Sequence, residues 1–508
     1  MRVVRSRVAS SKPQPHGEPT VSEHEPNRQH RSILQEIAHR AMLERGLEPD
    51  FPPAAAKELG ALPAPSPNGV RDLTALLWCS IDNDDSRDID QLTAAESVAG
   101  GGARIYVAIA DVDVLVAKGS AIDGHAQRNT TSVYTAAQIF PMLPEELSTD
   151  RTSLNLDLDR LAIVVEMVVD GLGAVIKSDV YRARVRNRAK LAYPSVGAWL
   201  EGAQAAPAGL DNMPDLAASL RLQDRVAQQM KERRHERGAL SLDTVQPKAV
   251  FEGETLSGLE VSDRNRARTL IEDFMIAANG VTARFLEKRG FPSVRRVVRT
   301  PRRWDRIVQL AADLRYQLPE VPDPRALEAF LVEAEADDPI RFPDLSLSVI
   351  KLLGAGEYVA EAPGQDAGGH FGLAVKDYAH STAPNRRYPD LITQRLLKAA
   401  LAGEPPMYSV AELDKLSRHC TAQEDAAKKV ERQVGKSAAA LLLEESIGEQ
   451  FEGVITGASE KGTWVRIFDP PVEGMVVGGA HGLDVGDRVR VRLVRTDVEH
   501  GFIDFRRG

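Results

Sequence analysis

Two cysteines, Cys79 and Cys420, are all the thiols in 508 residues. That scarcity excludes a disulfide framework and any zinc site built on clustered cysteines. It fits a reducing compartment, so a cytoplasmic location is expected. Long apolar runs are missing too. No stretch approaches 18 apolar residues, so no membrane-spanning helix is expected. Positive charge is not in excess: 64 Lys and Arg stand against 73 Asp and Glu, for a net charge of −9. A generally basic nucleic-acid coat is thereby excluded, but a local basic channel is not. There is no GxSxG elbow and no Cys–His pairing signature, so covalent catalysis has no support.

What the chain does have is length and core-forming residues. With 43% hydrophobic residues, it is long enough for two to four units. Residues 1–30 are rich in Arg, Ser, Pro, His and Glu and read as a disordered, solvated tail. A transit peptide is disfavoured by Glu18, Glu23 and Glu25. Residues 31–70 hold a short amphipathic helix, "SILQEIAHRAMLERG", and then a Pro/Ala-rich linker. In that helix Ser32 and Gln35 have capping-box spacing, and Gly46 is its stop. From residue 73 the pattern becomes strand-like and predicts antiparallel hairpins, with "RLAIVVEMVVD" and "AVIKSDVYRARVRNRAKLAY" flanking a Gly turn. Helical patterns follow at about 211–235, 265–289, 303–315, 390–402 and 411–446. Residues 71–446 therefore read as one large α+β unit. Residues 447–508 hold about five short β-runs between Gly turns, which suits a small OB-type barrel. Within it Arg488, Arg490 and Arg492 alternate with Val489, Val491 and Leu493. A solvated face and a nucleic-acid contact are both open for those arginines.

One short segment, "SIDNDDSRDID", packs Asp82, Asp84, Asp85, Asp88 and Asp90 into nine positions. Clustered carboxylates repel unless a cation sits among them. A calcium loop of EF-hand type fails, because Arg87 stands where glycine is needed and Thr93 where glutamate is needed. A magnesium site suits the segment better. In an extended chain Asp88 and Asp90 project to one side, and Asp82 precedes them by a short loop. Three such carboxylates could hold one or two Mg²⁺ ions for attack on a phosphodiester. Composition alone leaves an acidic surface loop equally open. A second pattern is independent of it. Arg182, Arg184, Arg186 and Arg188 alternate in "YRARVRNRAK", and a strand would align them as a cationic row suited to a sugar–phosphate backbone.

The aspartate segment resembles the catalytic motif of the ribonuclease II family, the RNB-domain exoribonucleases. The likeness continues in order through "VAIADV", "TTSVYTAAQIFPMLPEELSTD", "NRAKLAY", "IEDFMIAANG", "HFGLAVKDYAHSTAPNRRYPDLITQRLLKA" and "KKVERQVG". It implies an RNB catalytic domain with a C-terminal OB barrel that hydrolyses single-stranded RNA from its 3′ end with Mg²⁺, releasing nucleoside 5′-monophosphates. A monomer is expected. By resemblance, Asp82, Asp88 and Asp90 are three of four catalytic, metal-holding aspartates, and Arg386 contacts the RNA phosphate near the cut. Tyr134 and Tyr193 stack on bases at the 3′ end, while Glu272 and Glu431 line the substrate's end.

Three departures stand out. Gln91 occupies the place of the fourth aspartate, which opens the alternative of a weak or silent RNA-binding protein on the same fold. Leu240 or Leu242 stands where an aromatic clamps the bases. About 70 residues precede the catalytic unit, where the family has two cold-shock domains, so weaker RNA binding at a less fenced entrance is expected.

Overall fold

The computed structural model describes residues 30–244, 247–261, 264–459 and 462–508. The expected tail falls almost wholly outside them. The first helix, His30–Glu44, buries Leu34, Ile37, Ala38, Ala41 and Met42, and the chain leaves it through Gly46 at φ +74°.

The centre of the molecule is a six-stranded sheet. Its order is Arg71–Asp72, Val175–Ala192, Trp78–Asp82, Gln91–Ser97, Ala103–Ala110 and Asp159–Val169. The 18-residue strand Val175–Ala192 is shared. Its first part pairs antiparallel with Asp159–Val169, and its last part pairs in parallel with Trp78–Asp82. The ladder thus returns on itself. The expected hairpins are present, but that parallel pairing corrects the purely antiparallel reading. A parallel neighbour comes from far along the chain, so turn signals do not announce it.

The hairpin between Asp159–Val169 and Val175–Ala192 shows why its turn forms. Asp170 Oδ1 accepts the backbone N–H groups of Leu172 and Ala174 at 2.9 and 2.8 Å. Gly173 takes φ +75°, and a Cβ there would collide with the Gln229 carbonyl. Glycine is needed on both counts.

The helices Pro214–His235 and Arg266–Lys288 supply apolar side chains to the core that includes the sheet. A helical insert, Trp304–Asp313, Pro324–Asp337 and Phe342–Leu353, has its own core of Trp304, Ile307, Leu327, Phe330, Leu331 and Val349. Leu240 and Leu242 pack against that core, which fixes them as packing residues of this segment.

Five helices were not legible as such: Pro53–Ala61, Ala121–Asn129, Tyr193–Leu200, Pro324–Asp337 and Phe342–Leu353. Four of the five have proline in the first turn. Proline reads as a breaker in a linear scan but is favoured at a helix start.

The 33-residue helix Val410–Leu442 leads to a closed five-stranded barrel. Its strands are Gln450–Ser459, Gly462–Ile467, Glu473–Gly478, Arg488–Asp497 and Phe502–Arg507. Val489, Val491 and Leu493 fill it, while Arg488, Arg490 and Arg492 face outward. Ala439, Ala440 and Leu443 join the barrel's core. The helical insert also reaches the barrel, where Arg466 pairs with Asp344 at 3.0 Å. Among the described residues, no helix is long and apolar enough to cross a membrane.

Candidate active site

The aspartate segment runs from the end of one sheet strand to the start of the next. Asp82 ends Trp78–Asp82, and Gln91 begins Gln91–Ser97. Between them Ile89 is buried, with Asp88 and Asp90 on either side. Ile89 is anchored through its N–H to Ser153 Oγ (2.9 Å) and through its carbonyl to Leu154 N–H (3.0 Å). The outer turn is held by cations. Lys190 Nζ donates to the Ser86 carbonyl at 2.6 Å, Lys248 lies 3.4 Å from Asp85, and Arg268 donates to Asn83 Oδ1 at 2.8 Å. Asp84 and Asp85 are exposed.

Asp90 is 2% exposed. Its carboxylate accepts the Asn385 backbone N–H at 3.1 Å and the Arg386 Nε–H at 3.3 Å. Burial pushes its pKa up to about 7, against the pull of Arg386; the neighbouring charge of Asp88 adds to the rise. Burial also raises the pKa of Asp88, and the charge of Asp82 raises it further, while Arg386 and the Tyr134 hydroxyl counter the shift. The three sequence-predicted aspartates are therefore electrostatic neighbours in a water-poor place.

Arg386 is positioned by backbone. Its carbonyl accepts Ser132 N–H at 3.0 Å and Thr131 Oγ1 at 3.2 Å, and Tyr388 N–H reaches the Thr130 carbonyl at 2.8 Å. These bonds tie the 130–134 segment, which carries Tyr134, to the arginine loop. The helix Tyr388–Ala402 follows at once, with Pro389 in its first turn and Gly403 closing it at φ +72°. Arg386 thus stands just before a helix N-terminus, itself an anion-favouring end. Behind it Arg387 is paired with the fully buried Asp390 at 2.7 Å.

Tyr134 is 41% exposed, and Glu431 Oε1 accepts its backbone N–H at 2.9 Å. Glu431 thereby holds the tyrosine's strand in place. Tyr193 begins its own short helix and lies under the Arg268 guanidinium, 4.7 Å from the ring centroid. Its hydroxyl pKa is raised by burial and by the charge of Asp82, with Arg268 and Arg386 opposing. The two tyrosines consequently flank the aspartate–Arg386 centre.

Other sequence-predicted residues make contacts of their own. Glu272, on Arg266–Lys288, is half exposed and faces Arg264 at 3.6 Å. The arginine row does lie on one strand face, but its members have partners within the fold. Arg182 binds Asp111 (3.1 Å), Arg184 binds Asp72 (2.6 Å), Arg186 binds Asp159 (2.6 Å), and Arg188 donates to the Thr74 carbonyl (2.5 Å). The geometry makes the row a latch between strands; alternation revealed the shared face and could not reveal the carboxylates opposite. Sequence reading missed Asn385, Asn83 and Arg268. Asn385 acts through its backbone, which no side-chain pattern betrays. Arg268 is one arginine among three in "DRNRART".

Among the described residues, no group of three Asp, Glu, His or Cys side chains forms a ready metal cage. The cluster still suits a hard cation. Asp90 and Asp88 resist ionisation chiefly because they are buried, with the neighbouring aspartate charges adding to the effect, and a divalent ion that keeps most of its waters would relieve this with few protein ligands.

Fold and site define a class: a mixed α+β domain with a carboxylate cluster facing a half-exposed arginine, followed by an OB-type barrel. The chain belongs to the RNB-domain family. The RNB domain model matches residues 70–403, and the RNase II-type exonuclease C-terminal S1 domain matches residues 449–508. Ribonuclease R of Escherichia coli is 32% identical over 496 residues, an alignment covering 90% of this chain and 60% of that protein. Ribonuclease R of Aquifex aeolicus is 31% identical, with 90% of this chain and 68% of the relative covered. The structure of Mycoplasma genitalium RNase R in complex with ribose-methylated single-stranded RNA has the same fold. Its TM-score is 0.84 at 22% identity, over 94% of this chain and 78% of that one. This chain thus spans about 60% of the length of the E. coli relative.

Proposed function

We propose that this chain is a Mg²⁺-dependent hydrolytic 3′→5′ exoribonuclease that degrades single-stranded RNA to nucleoside 5′-monophosphates. The observation that carries the reading is the Asp90–Arg386–Asn385 constellation. It pairs a buried carboxylate with a guanidinium, beside Asp88 and between two tyrosines, within an RNB domain. Tyr134 and Tyr193 offer π-faces to the terminal bases without choosing among them. Arg386, beside a helix N-terminus, neutralises charge on the phosphate under attack. Asp90 and Asp88, with Asp82 beside them, would hold one or two Mg²⁺ ions. Bound magnesium supplies an activated water and charge stabilisation for the leaving oxygen. Asn385 fixes the rotamer of Asp90 and keeps that carboxylate aimed at the scissile bond. The chain acts as a monomer in the cytoplasm and binds RNA through the barrel as well as the site.

Gln91 favours a second reading, a silent RNA-binding protein. It is 9% exposed and begins its strand without adding a carboxylate. One experiment separates the two. The protein is incubated with 5′-labelled poly(A) and Mg²⁺, with and without chelator. A metal-dependent ladder down to a short limit product is the expected result. RNA that shifts on a gel yet stays intact in both lanes would establish the silent binder instead.

A further inference from the structure

We infer that Arg268 is a positioning residue that couples the Tyr193 ring to the aspartate loop, so that seating of the RNA's terminal base and the shape of the carboxylate cluster are set together. This rests on the exoribonuclease reading above. The argument starts at the helix Arg266–Lys288. Its cap is Asn265, whose side chain accepts the Arg268 N–H at 3.0 Å and pins Arg268 in the first turn. The Tyr193–Leu200 helix comes very close to that cap. A Cβ at Gly197 would lie 3.0 Å from Asn265 Cβ, Cγ and Oδ1, so only glycine allows the approach without a shift. Cap, arginine and tyrosine are therefore one packed unit.

From this fixed base one planar fork touches two functional elements. Its guanidinium lies 4.7 Å over the Tyr193 ring, and Nη2 donates to Asn83 Oδ1 at 2.8 Å. Asn83 in turn gives its backbone N–H to Asp82 Oδ1 at 2.7 Å. A lysine cannot do both, because its ammonium is a point charge on a flexible stem. Arg268 Nε is buried and has no hydrogen-bond partner among the described residues. An orphaned buried donor is costly, so the guanidinium sits here at the expense of its own solvation. An arginine serving only solubility would keep that donor in water.

The test is a double-mutant cycle in the full chain. Arg268→Gln and Tyr193→Leu are made singly and together. Affinity for oligo(A) is measured with chelator present, and each variant's thermal midpoint is recorded. Arg268→Gln should weaken binding about 3- to 10-fold in the Tyr193 background, and less than about 2-fold once the ring is gone. Arg268→Lys should recover only part of the loss, with an unchanged thermal midpoint. The same loss in both backgrounds would mean that the arginine touches RNA by itself, and would overturn the inference. So would no loss in the Tyr193 background. If Tyr193→Leu costs nothing and the wild-type chain leaves RNA intact, the exoribonuclease reading falls and takes the inference with it. If Tyr193→Leu weakens binding while Arg268 acts independently, the inference alone falls.

Discussion

Asp90 shows how one residue can be costly to the fold and useful to a site. Its carboxylate is buried, shares its surroundings with Asp88, and is compensated by a single guanidinium and one backbone N–H. Replacing it by Asn keeps the shape and one of the two hydrogen bonds, since an amide NH2 cannot accept the second, while removing the charge that a divalent ion needs. Asp90→Asn should lower RNA degradation by at least about 100-fold while leaving RNA affinity within about 3-fold. Gel-shift and labelled-RNA assays on the same preparation check this, and loss of both properties together would show that the carboxylate serves the fold. Two histidines make a separate residue-scale case. Burial and the nearby Arg296 push His370 down to about 4, while burial and Arg387 hold His380 well below the usual range. His370 Nδ1 accepts the Leu373 N–H, as a neutral ring must. Unfolded, both rings take up protons near pH 6.5, so the unfolded state binds more protons below that point. The histidines' contribution to stability should therefore fall as pH drops from about 6.5 to 5, by up to about 1.4 kcal/mol per pH unit each, while Asp90, protonated more readily in the fold, works in the opposite sense over the same range. Urea unfolding across that range measures it, and His370→Gln should flatten the slope.

At the scale of elements, the hairpin through Gly173 is the clearest case of sequence dictating form. The Asp170 side chain builds the turn, and Gly173 alone tolerates both its positive φ and the Gln229 carbonyl beside it. Gly173→Ala should destabilise the protein by about 2–4 kcal/mol, seen as a lower midpoint in thermal or urea unfolding. A midpoint equal to wild type would mean that the helix carrying Gln229 yields without cost. This hairpin, the amphipathic helices and the barrel were legible because each writes its period and its stop signals into a local stretch. The aspartate motif was legible for the same reason, since Asp88 and Asp90 alternate around Ile89. The partners of the arginine row were not, because Asp72, Asp111 and Asp159 are remote in sequence and only the sheet's return on itself brings them opposite. Arg268 escaped notice because its meaning depends on Gly197 admitting another helix.

The whole molecule carries net negative charge yet is expected to bind a polyanion. Ion pairing inside the fold is what makes this possible. The arginines of the central sheet are spent on carboxylates, so they add little to the outer field. On the barrel the balance differs. Arg490 is paired with Glu452 at 2.6 Å, but Arg488 and Arg492 have no ion pair among the described residues and face outward. With the exposed Arg506 and Arg507 on the last strand, they are cations available to an RNA strand approaching the barrel. Each phosphate that such a residue neutralises adds about 0.7 to the steepness of log K against log salt for a single strand. Removing both by Arg488→Ala and Arg492→Ala should weaken binding of a long oligo(A) and reduce that slope by about 1.4. Arg182→Ala and Arg184→Ala should leave the slope unchanged and instead lower the unfolding midpoint. A salt titration of affinity on the two pairs of variants decides the matter. If the sheet arginines change the slope and the barrel arginines do not, RNA tracks the sheet face, and the latch assigned to that row opens when RNA binds.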